Sequence, residues 1–560
     1  MKAMERQRNV NAAGIHSGPS RRGFLGSLGV SPGLTRLVGA GLLGALHGPG
    51  ALADETPLNA AERRHRAFVI RRDAAIFQRD RPETPSLSNG DEDLYPNRIA
   101  SYSKGLPHND LGEVDLNAYS AYIKALNSGL ASDFEAIPLG GTTKFANPQA
   151  AYCYSLEGAD GHALAIPPAP AFSSAEMAAE MAEDYWYAVT RDVPYSQYSS
   201  DPLINQAAAD LSTFSDYRSP KVNGQVTSDV IFRGDTPGDL TGPFISQFLW
   251  KTVPFGGGQF PQLYRTSITG DDYMTSYGDW RNIQRGGAAG SNVFESAPRY
   301  IRNNRDLALY LLFDFMGQAN IMAALLLLSY GNAALSPSNP YLQSRTQSSG
   351  ITFGSQMVLD LVSRAPDTAL RAAFYQKWLV HRRLRPEAFA GRVHNHVTGV
   401  AKYPVHPEIL NSSVLKAIFN AHGTYLLPMP YPGGAPAHPS YPAAHAVTGA
   451  AGVTMLKALF NETFVIPNPV VASDDGLSLL PYSGPPLTVG GELNKLAANV
   501  SLGRDAAGVH WRSDGIEGMR LGEAVALSIL RDVAALYHEE FPGFTLTRFD
   551  GTPITICPEC

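Results

Sequence analysis

The chain has 560 residues, 44% of them apolar and 17% charged, and 45 basic side chains stand against 51 acidic ones for a formal net charge of −6. This composition builds a globular protein with apolar surface enough for more than one core. It offers no broad positive field, so nucleic acid is excluded as a main partner and any anion chemistry must come from a local cluster of cations.

In chain order, "SRRGFLGSLG" places Arg21-Arg22 ahead of a Gly/Leu-rich, weakly apolar run that ends at "ALADETP". The pattern resembles a twin-arginine export signal over residues 1–53, cut after Ala51-Leu52-Ala53 to leave a mature chain starting near Asp54. The expected location is periplasmic or extracellular, with no membrane attachment once the signal is removed. Residues 54–560 read as a single unit. Its first part, to about 300, alternates irregular and helical stretches, and residues 89–110 are rich in Pro, Asn and Gly. From about 175, "SSAEMAAEMAEDYWYAVTRD" opens with a serine cap and repeats apolar residues at three and four, which predicts a helix. Further helices are expected over 240–251, 305–331, 355–384, 407–420, 441–460, 491–502 and 514–538.

Strand alternation is confined to short pieces near 162–166 and 224–232. The fold class is therefore mainly α, with helical bundles joined by long Pro/Gly loops and a bundle over about 305–540. Two connections, 254–304 and 462–490, are long enough to be functional or interfacial. "FGGGQF" (255–260) lacks the Lys-Ser/Thr of a phosphate loop and reads as a turn. "NIMAALLLLSYG" (320–331) is too short to cross a bilayer and reads as a buried helix. Of three cysteines, Cys153 is expected to be a buried thiol, and Cys557 and Cys560 form a C-P-E-C tail that is structural or incidental, with a small redox or disulfide loop as the alternative and too few ligands for a metal site.

Three clusters in the C-terminal half share one chemistry. In "QKWLVHRRLRPEAF", Lys377 and Arg385 lie eight apart on a predicted helix that stops at Pro386, within about 80° and 12 Å of each other, so both could reach one anion. The alternative for this run, which also holds Arg382 and Arg383, is a solvated basic face. In "HPSYPAAHAVTGAAG" (438–452), His438 precedes a turn and His445 enters a helix. The free amides of that helix start, Ala444 among them, sit where an anion would bind. In "NVSLGRDAAGVHWRSDGIEG", Arg504 is followed by His510 and Asp514. On a helix the last two share a face, so a carboxylate on Nδ1 would leave Nε2 as a lone pair. Gly503 and Gly508 permit close chain approach there. Together Lys377, Arg385 and Arg504 could neutralise a trivalent tetrahedral anion, since arginine forks grip paired oxygens.

The combination K-x7-R-P, P-S-Y-P-x-x-H and G-R-x5-H-x3-D resembles the vanadium-dependent haloperoxidases, particularly the bromoperoxidases of algae and bacteria. The eight-residue step from Lys377 to Arg385 fits that branch, and the likeness extends to residues 89–110 and 336–354, covering most of 85–540. The resemblance implies a mainly α-helical fold shared with type 2 phosphatidic acid phosphatases and bacterial acid phosphatases. It implies one vanadate per subunit, with His510 as axial vanadium ligand, Lys377, Arg385, Arg504 and the Ala444 amide on the vanadate oxygens, His445 as acid/base, and Asp514 orienting His510. The implied partners are hydrogen peroxide, a halide (bromide) and a small organic acceptor, and the implied assembly is a homo-oligomer.

One departure stands out. The family turn is P-S-G-H, and here it is Pro442-Ala443-Ala444-His445, so both the serine hydroxyl and the glycine are lost, and the Ala444 amide can still donate if its backbone angles suit a residue with a Cβ. A hydrogen bond to a charged group contributes about 1.5–3 kcal/mol, roughly one to two powers of ten in binding or rate. Two rivals follow: an exported acid phosphatase using the same residues, and a non-halogenating or non-catalytic oxyanion-binding relative.

Overall fold

A computed structural model describes residues 59–557; the predicted export signal lies outside them. Helices among the described residues include α1 (Ala60–Arg79), α2 (Ala175–Thr190), α3 (Asn304–Phe313), α4 (Gln318–Ser329), α5 (Ser355–Tyr375), α6 (Pro386–Val397), α7 (Ala444–Leu459), α8 (Val489–Ala506) and α9 (Arg512–Ala534).

Small residues decide the centre of the bundle. α7 reads "AHAVTGAAGVTMLKAL", and its Ala and Gly positions let α4, α5, α8 and α9 pack closely around it, so every residue of α7 except His445 is buried. α8 is buried almost all round as well, the signature of an interior helix rather than a surface one. Gly503 of α8 faces α3, where a Cβ would come within 2.4 Å of Leu311 and 2.8 Å of Leu307. A second core surrounds α2 and α6 with Trp186, Phe389 and Trp511 at its centre. By contrast, α1 has no buried residue: Phe68 and Ile76 stand exposed beside six arginines, although Asn59 caps its first turn.

Several expected boundaries are corrected. The run 305–331 breaks at Asp314–Gly317, an elbow that sets α3 and α4 at 98°. Residues 240–251 form only the single turn Gln247–Leu249, because Gly242 and Pro243 interrupt the backbone; the apolarity of Ile245, Phe248 and Leu249 reports burial, not helical period. The pieces at 162–166 and 224–232 find no neighbouring strand. Instead, among the described residues, three antiparallel hairpins form, Val253–Phe255 with Gly258–Phe260, Val470–Ala472 with Leu479–Pro481, and Phe544–Thr547 with Pro553–Ile556. The first is closed by the glycines of "FGGGQF", as the turn reading requires, and a short helix, Tyr277–Gln284, also interrupts the long connection 254–304. Residues 320–331 fall within buried α4 and the single turn that follows it, and no single described helix is long and apolar enough to cross a membrane. Cys153 is exposed, not buried, since it sits on a surface loop after a short turn. Cys557 is disulfide-bonded, and Cys560 lies outside the described residues.

Candidate oxyanion site

Lys377 and Arg385 do not share a helix. α5 ends at Tyr375, the chain widens into a π-type turn over Gln376–His381, and Arg382 adopts a left-handed φ of 39°. Arg385 is extended because the residue before a proline is barred from helical angles, and Pro386, whose missing N–H costs nothing in a first turn, opens α6 rather than ending a helix. This reversal turns both side chains toward the loop before α7. Lys377 Nζ donates to the carbonyls of Pro439 (2.9 Å) and Ser440 (2.7 Å). Arg385 donates Nε and Nη2 to the His438 carbonyl at 3.0 and 2.8 Å, and Nη1 to Val509 O at 2.6 Å. Successive carbonyls of the His-Pro-Ser turn thus hold two cations side by side.

Nor does His510 share a helix with Asp514. Gly508, at φ 67°, releases the chain from α8, and His510 lies in the turn ahead of α9, where Asp514 is the third residue. The Asp514 carboxylate folds back over the helix start, as acidic residues do at free amides, and accepts from Trp511 N (3.2 Å) and from His510 Nδ1 (2.8 Å). The contact expected at that spacing exists, but a helix cap makes it. With Nδ1–H given to Asp514, Nε2 keeps its lone pair, 2.9 Å from Arg385 Nη1. Arg383 Nη1 (2.8 Å) and the Ser440 hydroxyl complete the shell around Asp514.

Arg382 and Arg383 are not a solvated face. Arg383 is buried between Asp514 and Glu180 of α2, at 2.8 and 2.9 Å, and Arg382 pairs with Glu92 at 2.6 Å. Glu180 also takes the Ser513 amide at 2.6 Å, tying α2 to the start of α9.

Arg504 reaches the pocket from α8, donating Nη1 to Leu311 O at 2.6 Å. His445 sits at the second position of α7, its Nε2 3.0 Å from Asp314 on the α3–α4 elbow. Ala443, the N-cap, spends its own amide on Asp514 O at 2.8 Å and offers no side-chain oxygen to the first turn, so the α7 amides beginning at Ala444 have no helical acceptor. Ala444 is an ordinary helical residue with no left-handed φ, so its Cβ is no obstacle to the amide donating.

The electrostatics are lopsided. Lys377, Arg385 and Arg504 are at most 4% exposed. Burial first, then the Arg385 charge, drives the Lys377 amine well below its ordinary value, and burial brings Arg385 down to about 10. Burial and then the Arg385, Lys377 and Arg504 charges push His510 far down, so its imidazole is neutral. His445 is lowered by burial and by Arg504, against the pull of Asp314. Asp514 is the carboxylate that acts on both Lys377 and Arg385, and it is already shared with Arg383 and His510. Buried charges without partners are costly, and Arg504 Nε is buried with no hydrogen-bond partner among the described residues. The residues therefore fit a multiply charged tetrahedral oxyanion, with cations and a helix start for its oxygens and a neutral imidazole nitrogen for its centre. Lys377, Arg385, Arg504, His445 and His510 lie near enough for their charges to act on one another, Asp514 backs His510 at Nδ1, and Ala444 precedes His445 at the start of α7.

Sequence reasoning missed Asp314, Glu180 and the pairing of Arg383. A carboxylate interrupting the apolar run "LLFDFMG" was a usable signal for Asp314; Glu180 and Arg383 carried none locally.

The chain matches the family model of the VCPO second helical-bundle domain over residues 415–539. It is 35% identical to a vanadium-dependent bromoperoxidase of Ascophyllum nodosum over 544 residues, covering 90% of this chain and 96% of the relative. With a vanadium-dependent bromoperoxidase of Corallina pilulifera the identity is 33%, over 89% and 99% of the two chains. The structure of a homohexameric vanadate-dependent bromoperoxidase, the second from Ascophyllum nodosum, superposes with a TM-score of 0.86 at 29% identity, covering 94% of this chain and 95% of that one. Identity at this level, sustained along both chains and through the helices that gather the cations, means that the chain belongs to the vanadium-dependent haloperoxidases, among the bromoperoxidases.

Proposed function

We propose that the protein uses bound vanadate and hydrogen peroxide to oxidise halide, bromide in the first place, to a hypohalous acid equivalent that halogenates small organic acceptors. The observation that carries this reading is the meeting of three buried basic side chains with the His510 imidazole, held at Nδ1 by Asp514, in a chain similar over nearly its whole length to bromoperoxidases. We assign His510 Nε2 as the vanadium ligand, Lys377, Arg385, Arg504 and the Ala444 amide as donors to the vanadate oxygens, and His445 as the acid/base. When bound, vanadate supplies a Lewis acid that polarises peroxide without changing oxidation state. Around it, Asp514 fixes the His510 ring and its tautomer. The cations favour negative charge in a water-poor site, where donors act more strongly than in water. His445 moves a proton at the ring nitrogen not engaged by Asp314, and its side chain is 15% exposed.

One preparation tests the reading. Stripped of metal, it should brominate a dimedone-type acceptor only after orthovanadate is restored. Hydrolysis of an aryl phosphate that vanadate inhibits would point to a phosphatase, and neither activity to a non-catalytic binder.

We also propose that the chain is exported through its twin-arginine segment and assembles with copies of itself. The homohexameric neighbour and the wholly surface-borne α1 support self-assembly. In a bacterial host, the wild type should accumulate outside the cytoplasm as a species of several chains by light scattering, and Arg21-Arg22→Lys-Lys should strand it inside. A cytoplasmic single chain in the wild type would count against both.

A further inference from the structure

Of eleven methionines in the chain, nine fall in the described residues, and eight of those are at most 8% exposed, whereas Met316 is 37% exposed. Met316 sits on the elbow between α3 and α4, two residues after Asp314, the carboxylate that holds His445. Its sulfur is 3.7 Å from the hydroxyl of Thr448, which also lies 3.1 Å from the His445 carbonyl, one turn along α7. The elbow places Phe313 and Phe315, about half exposed, beside it. Met316 is thus a partly exposed methionine whose sulfur accepts from Thr448 next to His445, the α7 residue that is not fully buried.

We propose that Met316 is a modification site, converted to the sulfoxide during turnover by the hypohalous acid the enzyme makes, before that oxidant mixes with bulk solvent. The inference rests on the functional reading above. The thioether lone pair displaces hydroxide from the positive halogen of hypobromous acid. Water then forms the S–O bond as bromide departs with the electron pair, and the net products are sulfoxide, bromide and one proton. Sulfur is oxidised by two electrons and bromine reduced by two. The eight buried methionines serve as internal references, since thioether oxidation follows access.

The experiment uses the whole vanadate-loaded enzyme turning over with bromide, peroxide and an organic acceptor, followed by peptide mass spectrometry, with and without excess free methionine in the medium. Sulfoxide at Met316 should rise with turnover number to at least about tenfold that at any buried methionine, and it should persist when free methionine scavenges oxidant from bulk solvent. The proposal is overturned if bromination proceeds with Met316 no more oxidised than the buried methionines, if free methionine abolishes the modification, or if peroxide without bromide produces as much. A preparation that brominates nothing overturns the functional reading instead, and the acceptor assay makes that failure separately visible.

Discussion

His510→Ala should lower the affinity of the metal-stripped protein for orthovanadate by at least about a hundredfold, because changing a residue that merely orients a ligand already costs 10- to 100-fold. The protein should nevertheless fold. Asp514 keeps Arg383 at 2.8 Å, the Trp511 amide and the Ser440 hydroxyl, and Arg385 keeps its carbonyl partners at His438 and Val509. Residual binding should remain, and it should resemble that of phosphate, since the three cations still attract any tetrahedral oxyanion. Calorimetric titration of orthovanadate and of phosphate into the wild type and the variant measures this. Equal vanadate affinities would remove His510 from the ligand role.

His445→Ala should separate binding from turnover. The three cations and His510 are untouched, so orthovanadate affinity should stay within a few-fold of wild type. Bromination by the fully loaded variant should fall by about 10²–10⁴, the contribution usual for a positioned acid/base group. The change also leaves the Asp314 carboxylate, whose side chain is only 4% exposed, without its imidazole partner, so thermal melting of the variant accompanies the assay. Matching the loss against bound vanadium, measured on the same sample, discriminates the two roles; a variant that turns over at the wild-type rate would exclude His445 from proton transfer.

Much of the pocket was legible from residue type and spacing, because cations and imidazoles clustered in an otherwise apolar half-chain need a shared reason to be there. Backbone course was harder. Pro386 was read as the end of a helix and is the start of one: the same fixed φ suits both sides of a break, and only the chain reversal at Arg382 settles which side wins. His510 and Asp514 touch as their spacing suggests, yet through a cap, because Gly508 ends α8 just ahead of them. The pairing of Arg383 depended on Glu180, 203 residues away, and the contact of Asp314 with His445 on a separation of 131. No local pattern encodes such meetings. The departure at Ala443-Ala444 was half resolved by structure. The second alanine needs no unusual backbone, and the first leaves α7 without a side-chain cap.

The almost complete enclosure of α7 divides the pocket into two kinds of wall with different prospects for change. Residues 444 and 446–459 are locked by neighbours on all sides, so enlarging any of them disturbs the placement of the charges themselves. The end of α3 and the elbow that follows it carry Leu312, Phe313 and Phe315 exposed, on a bend that ends one helix and precedes another. Lineages, or engineers, seeking a new range of acceptors can rework that rim while the charged interior stays as inherited.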